Sequence, residues 1–182
     1  DDENMARVLI TDADDDDRWM IPETIVPATV AQQQPRSKRV GGQGSLGYTL
    51  TFTQSPFTFT LTRNSDGSIL FSSAPQLIFK DQYLELSTSL DADSSLFGVG
   101  ESTRSDMVLK PGTTYTLWAR DMPAAVFDSN LYGSHPFFLE LDKASGNARG
   151  AFLRNSNGMD VVYSSGGDAL TFKVIGGVID LF

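Results

Sequence analysis

The sequence predicts an all-β fold, a two-sheet sandwich, and three observations carry that prediction. Apolar and polar residues alternate with period two through short runs along most of the chain. Turn chemistry built from Gly, Asn, Asp, Ser and Pro separates those runs at close intervals. No stretch keeps an apolar face at helical spacing for three turns. Without a helix to cover it, a sheet of this kind must bury its apolar face against a second sheet.

The elements follow in chain order. A strand is predicted over residues 6–10, entered almost at once, and an acidic turn follows at Asp14 to Asp17. Asp12, Asp14, Asp16 and Glu23 have the spacing of positions 1, 3, 5 and 12 of a calcium loop. Asp17 stands where that loop needs Gly, Pro22 occupies position 11, and no helix flanks it, so an acidic surface turn is the reading. Residues 31–47 are polar, basic and glycine-rich, and are predicted to be a flexible loop. Gly42-x-Gly44-x-x-Gly47 formally matches a dinucleotide fingerprint but lacks the strand before it and the helix after it. Arg36-Ser37-Lys38-Arg39 is a dibasic pattern of the kind that processing proteases cut in exposed loops, and a solvated basic loop is the preferred reading.

Residues 48–53 and 57–62 alternate Thr with Tyr, Leu or Phe around Gln54-Ser55-Pro56, which predicts a hairpin. Asn64-Ser65-Asp66-Gly67 turns the chain into a strand at 69–71. Further strands are predicted at 76–79, 83–87, 114–118, 137–141, 151–153, 159–163, 170–175 and 178–182. Turns at 143–147 and 164–168 separate the later ones. The chain opens into one strand and stops in another, so the expectation is a single sandwich domain over 1–182, truncated at both ends.

Composition narrows the chemistry. The formal net charge of -9 repels phosphate backbones and anionic lipid, so neither nucleic acid nor a membrane surface is an expected partner. Neutral sugars are not excluded. There are no cysteines, which removes disulfides and thiolate chemistry. His135 is the only histidine, too little for a zinc set or a Ser–His–Asp triad. Its apolar neighbours predict a packed or hydrogen-bonded structural residue. Glycoside hydrolysis runs on paired carboxylates, and Asp106, Asp121, Asp128, Asp142 and Asp160 are the candidates in the second half. Nothing in the sequence marks two of them as facing each other.

Six segments in order add a resemblance. They are Arg18-Trp19-Met20-Ile21-Pro22, Phe79-Lys80-Asp81-Gln82-Tyr83-Leu84-Glu85, Leu96-Phe97-Gly98-Val99-Gly100-Glu101, Asn130-Leu131-Tyr132-Gly133-Ser134-His135-Pro136-Phe137, Asn155-Ser156-Asn157-Gly158-Met159-Asp160 and Phe172-Lys173-Val174-Ile175-Gly176-Gly177. Together they resemble the N-terminal domain of family 31 glycoside hydrolases, the α-glucosidases, α-xylosidases and maltase-glucoamylases. The resemblance implies a mutarotase-like β-sandwich followed by a (β/α)8 barrel that carries both catalytic aspartates, so no catalytic residue is expected in this chain. It implies no cofactor and no metal. It implies two partners, an α-glucan oligosaccharide or maltose-like substrate and the catalytic barrel polypeptide. An extracellular, vacuolar or lysosomal location goes with it.

Trp118-Ala119-Arg120-Asp121-Met122-Pro123 is superficially similar to the family's nucleophile motif, yet precedes the Leu131-Tyr132-Gly133 segment and lacks the Asn-Glu pair. The resemblance makes it the loop that reaches into the substrate pocket, with Arg120 and Asp121 binding sugar hydroxyls. Met122-Pro123 replaces the family's Thr or Ser. The plain alternative is that Asp121 only forms an ion pair with Arg120. The function expected is that of the non-catalytic N-terminal segment of a retaining exo-α-glucosidase. An α-xylosidase of the same family is one alternative, and a stand-alone carbohydrate-binding or structural sandwich is another. A flat aromatic platform would favour the latter, but Trp19 and Trp118 fall in segments expected to pack. The runs 6–10 and 178–182 are expected to be open edges needing another polypeptide.

Overall fold

A computed structural model describes residues 5–27, 47–74, 76–123 and 125–182, and among them it holds thirteen strands and no helix. The strands are β1 Val8–Ile10, β2 Tyr48–Gln54, β3 Phe57–Arg63, β4 Ile69–Ser72, β5 Leu77–Lys80, β6 Tyr83–Ser89 and β7 Ser95–Ser102. They continue with β8 Thr114–Leu117, β9 Asn130–Leu141, β10 Ala148–Phe152, β11 Met159–Tyr163, β12 Ala169–Val174 and β13 Ile179–Leu181. The expected all-β fold is present. The five-stranded sheet runs β5-β6-β12-β11-β8 and a three-stranded sheet runs β10-β9-β7. A second three-stranded sheet is β2-β3-β4, and β1 pairs with β13. Every pairing is antiparallel.

Alternation in the sequence becomes burial in the sheet. Along β12, Leu170, Phe172 and Val174 are buried while Ala169, Thr171 and Lys173 are partly open. Phe172 meets Phe138 of β9 at a ring separation of 6.3 Å, which joins the five-stranded sheet to the β10-β9-β7 sheet. Phe59 and Phe71 stack at 5.6 Å inside the third sheet. The predicted hairpin is present, with Thr49, Thr51 and Thr53 opposite Thr62, Thr60 and Thr58. Arg149 laces sheets together, pairing with Glu140 and donating to the carbonyls of Ile69 at 2.6 Å and Ser89 at 2.7 Å.

Several boundaries differ from expectation. Residues 95–102 form β7, an eight-residue strand whose glycines gave no strand signal. At Gly98, φ is +108° and an added Cβ would lie 2.4 Å from the Phe137 carbonyl oxygen, so the glycine permits β7 to approach β9. β9 starts at Asn130, well before 137, because Gly133 and Pro136 interrupt its alternation. β10 starts at Ala148, and Leu153 takes part only in an isolated bridge to Leu181.

The two terminal runs pair with each other, so β13 has a neighbour on both sides, while β13 is the one strand partner of β1 among the described residues. Val8, Leu9 and Ile10 pair with Leu181, Asp180 and Ile179. On the other side of β13, Arg154 N–H donates to the Asp180 carbonyl at 2.8 Å, and Phe152 and Phe182 exchange two bonds of 2.9 Å. The reason is an ionic knot. Asp180, fully buried, accepts from Arg7 Nε at 2.7 Å and Nη2 at 2.9 Å, and from Arg154 Nη1 at 3.1 Å. Arg154 also donates to the carbonyls of Ile21 at 2.6 Å and Val26 at 2.6 Å, which binds residues 21–26 to the same strand.

The acidic turn is held by its own side chains. Asp12 caps the N–H of Asp14 at 3.0 Å and Asp15 caps that of Asp17 at 3.1 Å, while Glu23 lies 3.6 Å from Arg154. The glycine fingerprint up to Leu46 and the dibasic Arg36–Arg39 pattern lie outside the described residues. His135 is not packed as one of its two expected roles required. It is exposed on the outer side of β9, with its ring against Gly133 and Gly100, because the β7–β9 register is irregular at Gly100.

Candidate functional site

Arg120 and Asp121 sit on the connection from β8 to β9. That connection has no strand of its own, yet three ties bind its start to the first three residues of β9. Trp118 N–H donates to Asn130 Oδ1 at 2.9 Å, Arg120 N–H to the Leu131 carbonyl at 3.1 Å, and Tyr132 Oη to Asp121 Oδ1 at 2.5 Å. β9 is itself seated at this point. Asn130 Nδ2 donates to the carbonyls of Glu101 and Gly133, each at 2.7 Å, and Gly133 N–H donates to Glu101 Oε2 at 2.9 Å. At the far end of the loop, Thr103 N–H donates to the Ser129 carbonyl at 3.2 Å.

Both candidate side chains are exposed, and among the described residues no ion pair joins them. They diverge. Arg120 lines an open cleft of about 720 Å³ with Arg104, Asp106, Trp118, Asp128 and Asn130. Asp121 lies outside that cleft, against Tyr132. The bond to Asp121 is the main cause that raises the Tyr132 phenol above its ordinary pKa, with burial and the Glu101 charge adding to it. An ionised carboxylate with one oxygen engaged keeps acceptor capacity on the other, which suits vicinal hydroxyls.

The remaining carboxylates are used elsewhere. Asp106 caps the Val108 N–H at 3.1 Å and lies 3.9 Å from Lys110. Asp142 caps the turn that follows it, accepting from the N–H of Ala144 at 2.8 Å, and the Ser145 hydroxyl is the main cause that lowers its pKa. Asp160 accepts from Thr116 Oγ1 at 2.6 Å across the β8–β11 pair. Asp128 is exposed at φ +54° on the loop.

The tryptophans depart from the packed role expected for them. Trp19 is 53% exposed and Trp118 55%. Each is anchored on one side only. Trp19 Nε1 donates to Ser156 Oγ at 2.8 Å. The Trp118 ring lies on Gly158, where an added Cβ would be 2.4 Å from Cε3 and Cζ3. Ile175, Phe127 and Met107 are also exposed, at 56%, 77% and 80%. Tyr132, Asn130 and Glu101 were not singled out from the sequence. They lie in the segments that carry the resemblance, but their contact depends on the pairing of Gly100 with His135 and Ser102 with Asn130.

Comparison with known proteins follows this geometry. A family profile described as the glycosyl hydrolase 31 N-terminal galactose mutarotase-like domain matches residues 2–161. The chain is 44% identical over 191 residues to an α-glucosidase of Hordeum vulgare, covering 99% of this chain and 21% of that protein. It is 41% identical over 194 residues to α-xylosidase 1 of Arabidopsis thaliana, covering 99% and 20%. Among solved structures, the glucosidase II α subunit superposes with a TM-score of 0.60 at 18% identity, over 76% of this chain and 20% of that one. The chain thus spans about a fifth of the length of the curated relatives it matches.

Proposed function

Since this chain belongs to the glycosyl hydrolase 31 N-terminal galactose mutarotase-like domain family, we propose that it is the non-catalytic N-terminal segment of a retaining exo-α-glucosidase that releases terminal α-linked glucose from oligosaccharides. In this reading two carboxylates on a barrel outside the chain perform the double displacement. Asp121 accepts hydrogen bonds from hydroxyls of the sugar next to the scissile bond, and Arg120 donates to the same substrate from the adjacent cleft. The observation that supports it is the exposed Asp121 carboxylate, free of an ion pair with Arg120 and held on a loop tied to β9. Exposed Trp118, Phe127, Met107 and Ile175 around that loop support a second structured unit covering this end.

The test is substitution in the natural polypeptide that carries this segment. A hydrogen bond to a charged group contributes about 1.5–3 kcal/mol, so Asp121→Ala is expected to lower kcat/KM on maltose by roughly ten- to a hundredfold. An unchanged kcat/KM defeats the assignment. The similarity to α-xylosidase 1 favours a second reading, hydrolysis of α-xylosides by the same loop. Matched aryl α-glucoside and α-xyloside substrates separate the two, and faster turnover of the xyloside replaces the first reading by the second.

A further inference from the structure

We infer that Tyr132 is the positioning residue for Asp121, its phenol fixing Oδ1 so that Oδ2 remains the oxygen that accepts from substrate hydroxyls. The inference rests on the substrate-loop reading of Asp121 given above. Asp121 lies on an exposed connection, where an unsupported carboxylate samples several rotamers and must lose them when a ligand binds. Tyr132 removes that freedom beforehand. Among the described residues its Oη, at 2.5 Å, is the hydrogen-bond partner that the Asp121 side chain has.

The support behind Tyr132 is rigid. Its neighbours on β9 take the Trp118 and Arg120 N–H groups, and the next N–H is held by Glu101 Oε2 at 2.9 Å. A tyrosine is ordered by only two side-chain torsions, so little entropy opposes the contact. Tyr132 is 63% exposed, too open for packing to explain the residue. A neutral phenol also suits the task better than a cation. It orients the carboxylate without cancelling its charge, which stays available to the sugar. The same hydrogen bond raises the phenol pKa, so the group remains a donor well above neutral pH.

Two measurements test the inference. In the natural polypeptide, Tyr132→Phe is expected to raise KM on maltose by about five- to tenfold with kcat within about twofold. Asp121→Asn is expected to lower kcat/KM by at least about tenfold, and the double variant to be no worse than Asp121→Asn alone. Additive losses, or an unchanged KM in Tyr132→Phe beside an impaired Asp121→Asn, overturn the inference and leave the substrate-loop reading standing. A fully active Asp121→Asn overturns both. The second readout is titration of the Tyr132 ring carbon by NMR. Asp121→Asn is expected to bring the phenol pKa down towards about 10, and no change on that substitution shows that the two groups are not bonded and refutes the positioning role.

Discussion

Replacing Asp180 by Asn is the sharpest test of how the ends of this chain are held. The side chain is fully buried and accepts three charge-assisted hydrogen bonds from two guanidinium groups. Arg7 is partly exposed, with 23% of its side chain open, and can turn towards water when the carboxylate charge is lost. Arg154 cannot, since its side chain is only 1% exposed and three of its N–H groups are already committed to Asp180, Ile21 and Val26. Glu23 at 3.6 Å lies on the exposed side and compensates little. Breaking a buried pair on one side costs about 3–5 kcal/mol. For a chain of this size that corresponds to a fall in Tm of roughly 6–20 °C. Urea unfolding followed by far-ultraviolet circular dichroism reads the loss. A loss below about 1 kcal/mol for Asp180→Asn would refute the knot as the cause of terminal pairing.

Three further outcomes follow from the same geometry. Gly158→Ala places a Cβ 2.4 Å from the Trp118 ring, and is expected to destabilise by about 1–3 kcal/mol with a shift in tryptophan emission; unaltered emission and stability contradict the packing. Phe172→Ala opens a void where Phe138 and Phe172 join two sheets, with an expected loss of about 3–5 kcal/mol in chemical denaturation. Asp66 has a folded pKa lowered to about 2, chiefly by the Ser68 hydroxyl and then by the Ser68 N–H and Arg63. A depressed carboxylate pKa stabilises above the unfolded value near 3.9 and loses that contribution as pH falls towards 2. Stability curves of the parent and Asp66→Asn are therefore expected to converge between about pH 4 and 2, and parallel curves contradict the assignment.

The strands legible in the sequence are those whose alternation is uninterrupted. β2, β3, β11 and β12 follow from Thr, Val, Leu and Phe spacing alone, and their registers agree with it. β7 was hidden because Gly98 and Gly100 read as turn punctuation, whereas the missing side chain of Gly98 admits the neighbouring strand. The first half of β9 was hidden because polar Asn130, Ser134 and His135 and the imino acid Pro136 break the period. The Arg120–Asp121 position was legible only through resemblance. The partner of Asp121 was not legible at all, since Tyr132 is eleven residues away on a strand whose start the sequence obscures.

The segments that carried the resemblance share a physical role that hydrophobic patterning does not express. Arg18 Nε donates to the Gly177 carbonyl at 2.7 Å while its guanidinium lies 4.6 Å over Phe79. Asn155 Nδ2 donates to the carbonyls of Gly176 at 2.9 Å and Val178 at 3.0 Å, and Asn157 Nδ2 donates back to Asn155 Oδ1 at 2.9 Å. These side chains satisfy a left-handed turn, with Gly176 at φ +152° and Gly177 at +76°, where added Cβ atoms would meet Asn157 and Asn155. Four of the six segments therefore meet at the turn that delivers β13. Asn130, Tyr132 and Glu101, from the other two, fix the Asp121 loop in the same manner, by side chains that satisfy irregular backbone and a lone carboxylate. Such positions tolerate few substitutions because a lost donor leaves a polar group without its partner. Core positions accept any apolar side chain of similar volume. Part of the family likeness is accordingly carried by side chains that satisfy a turn and anchor a loop, some of them on the strands β7 and β9 themselves.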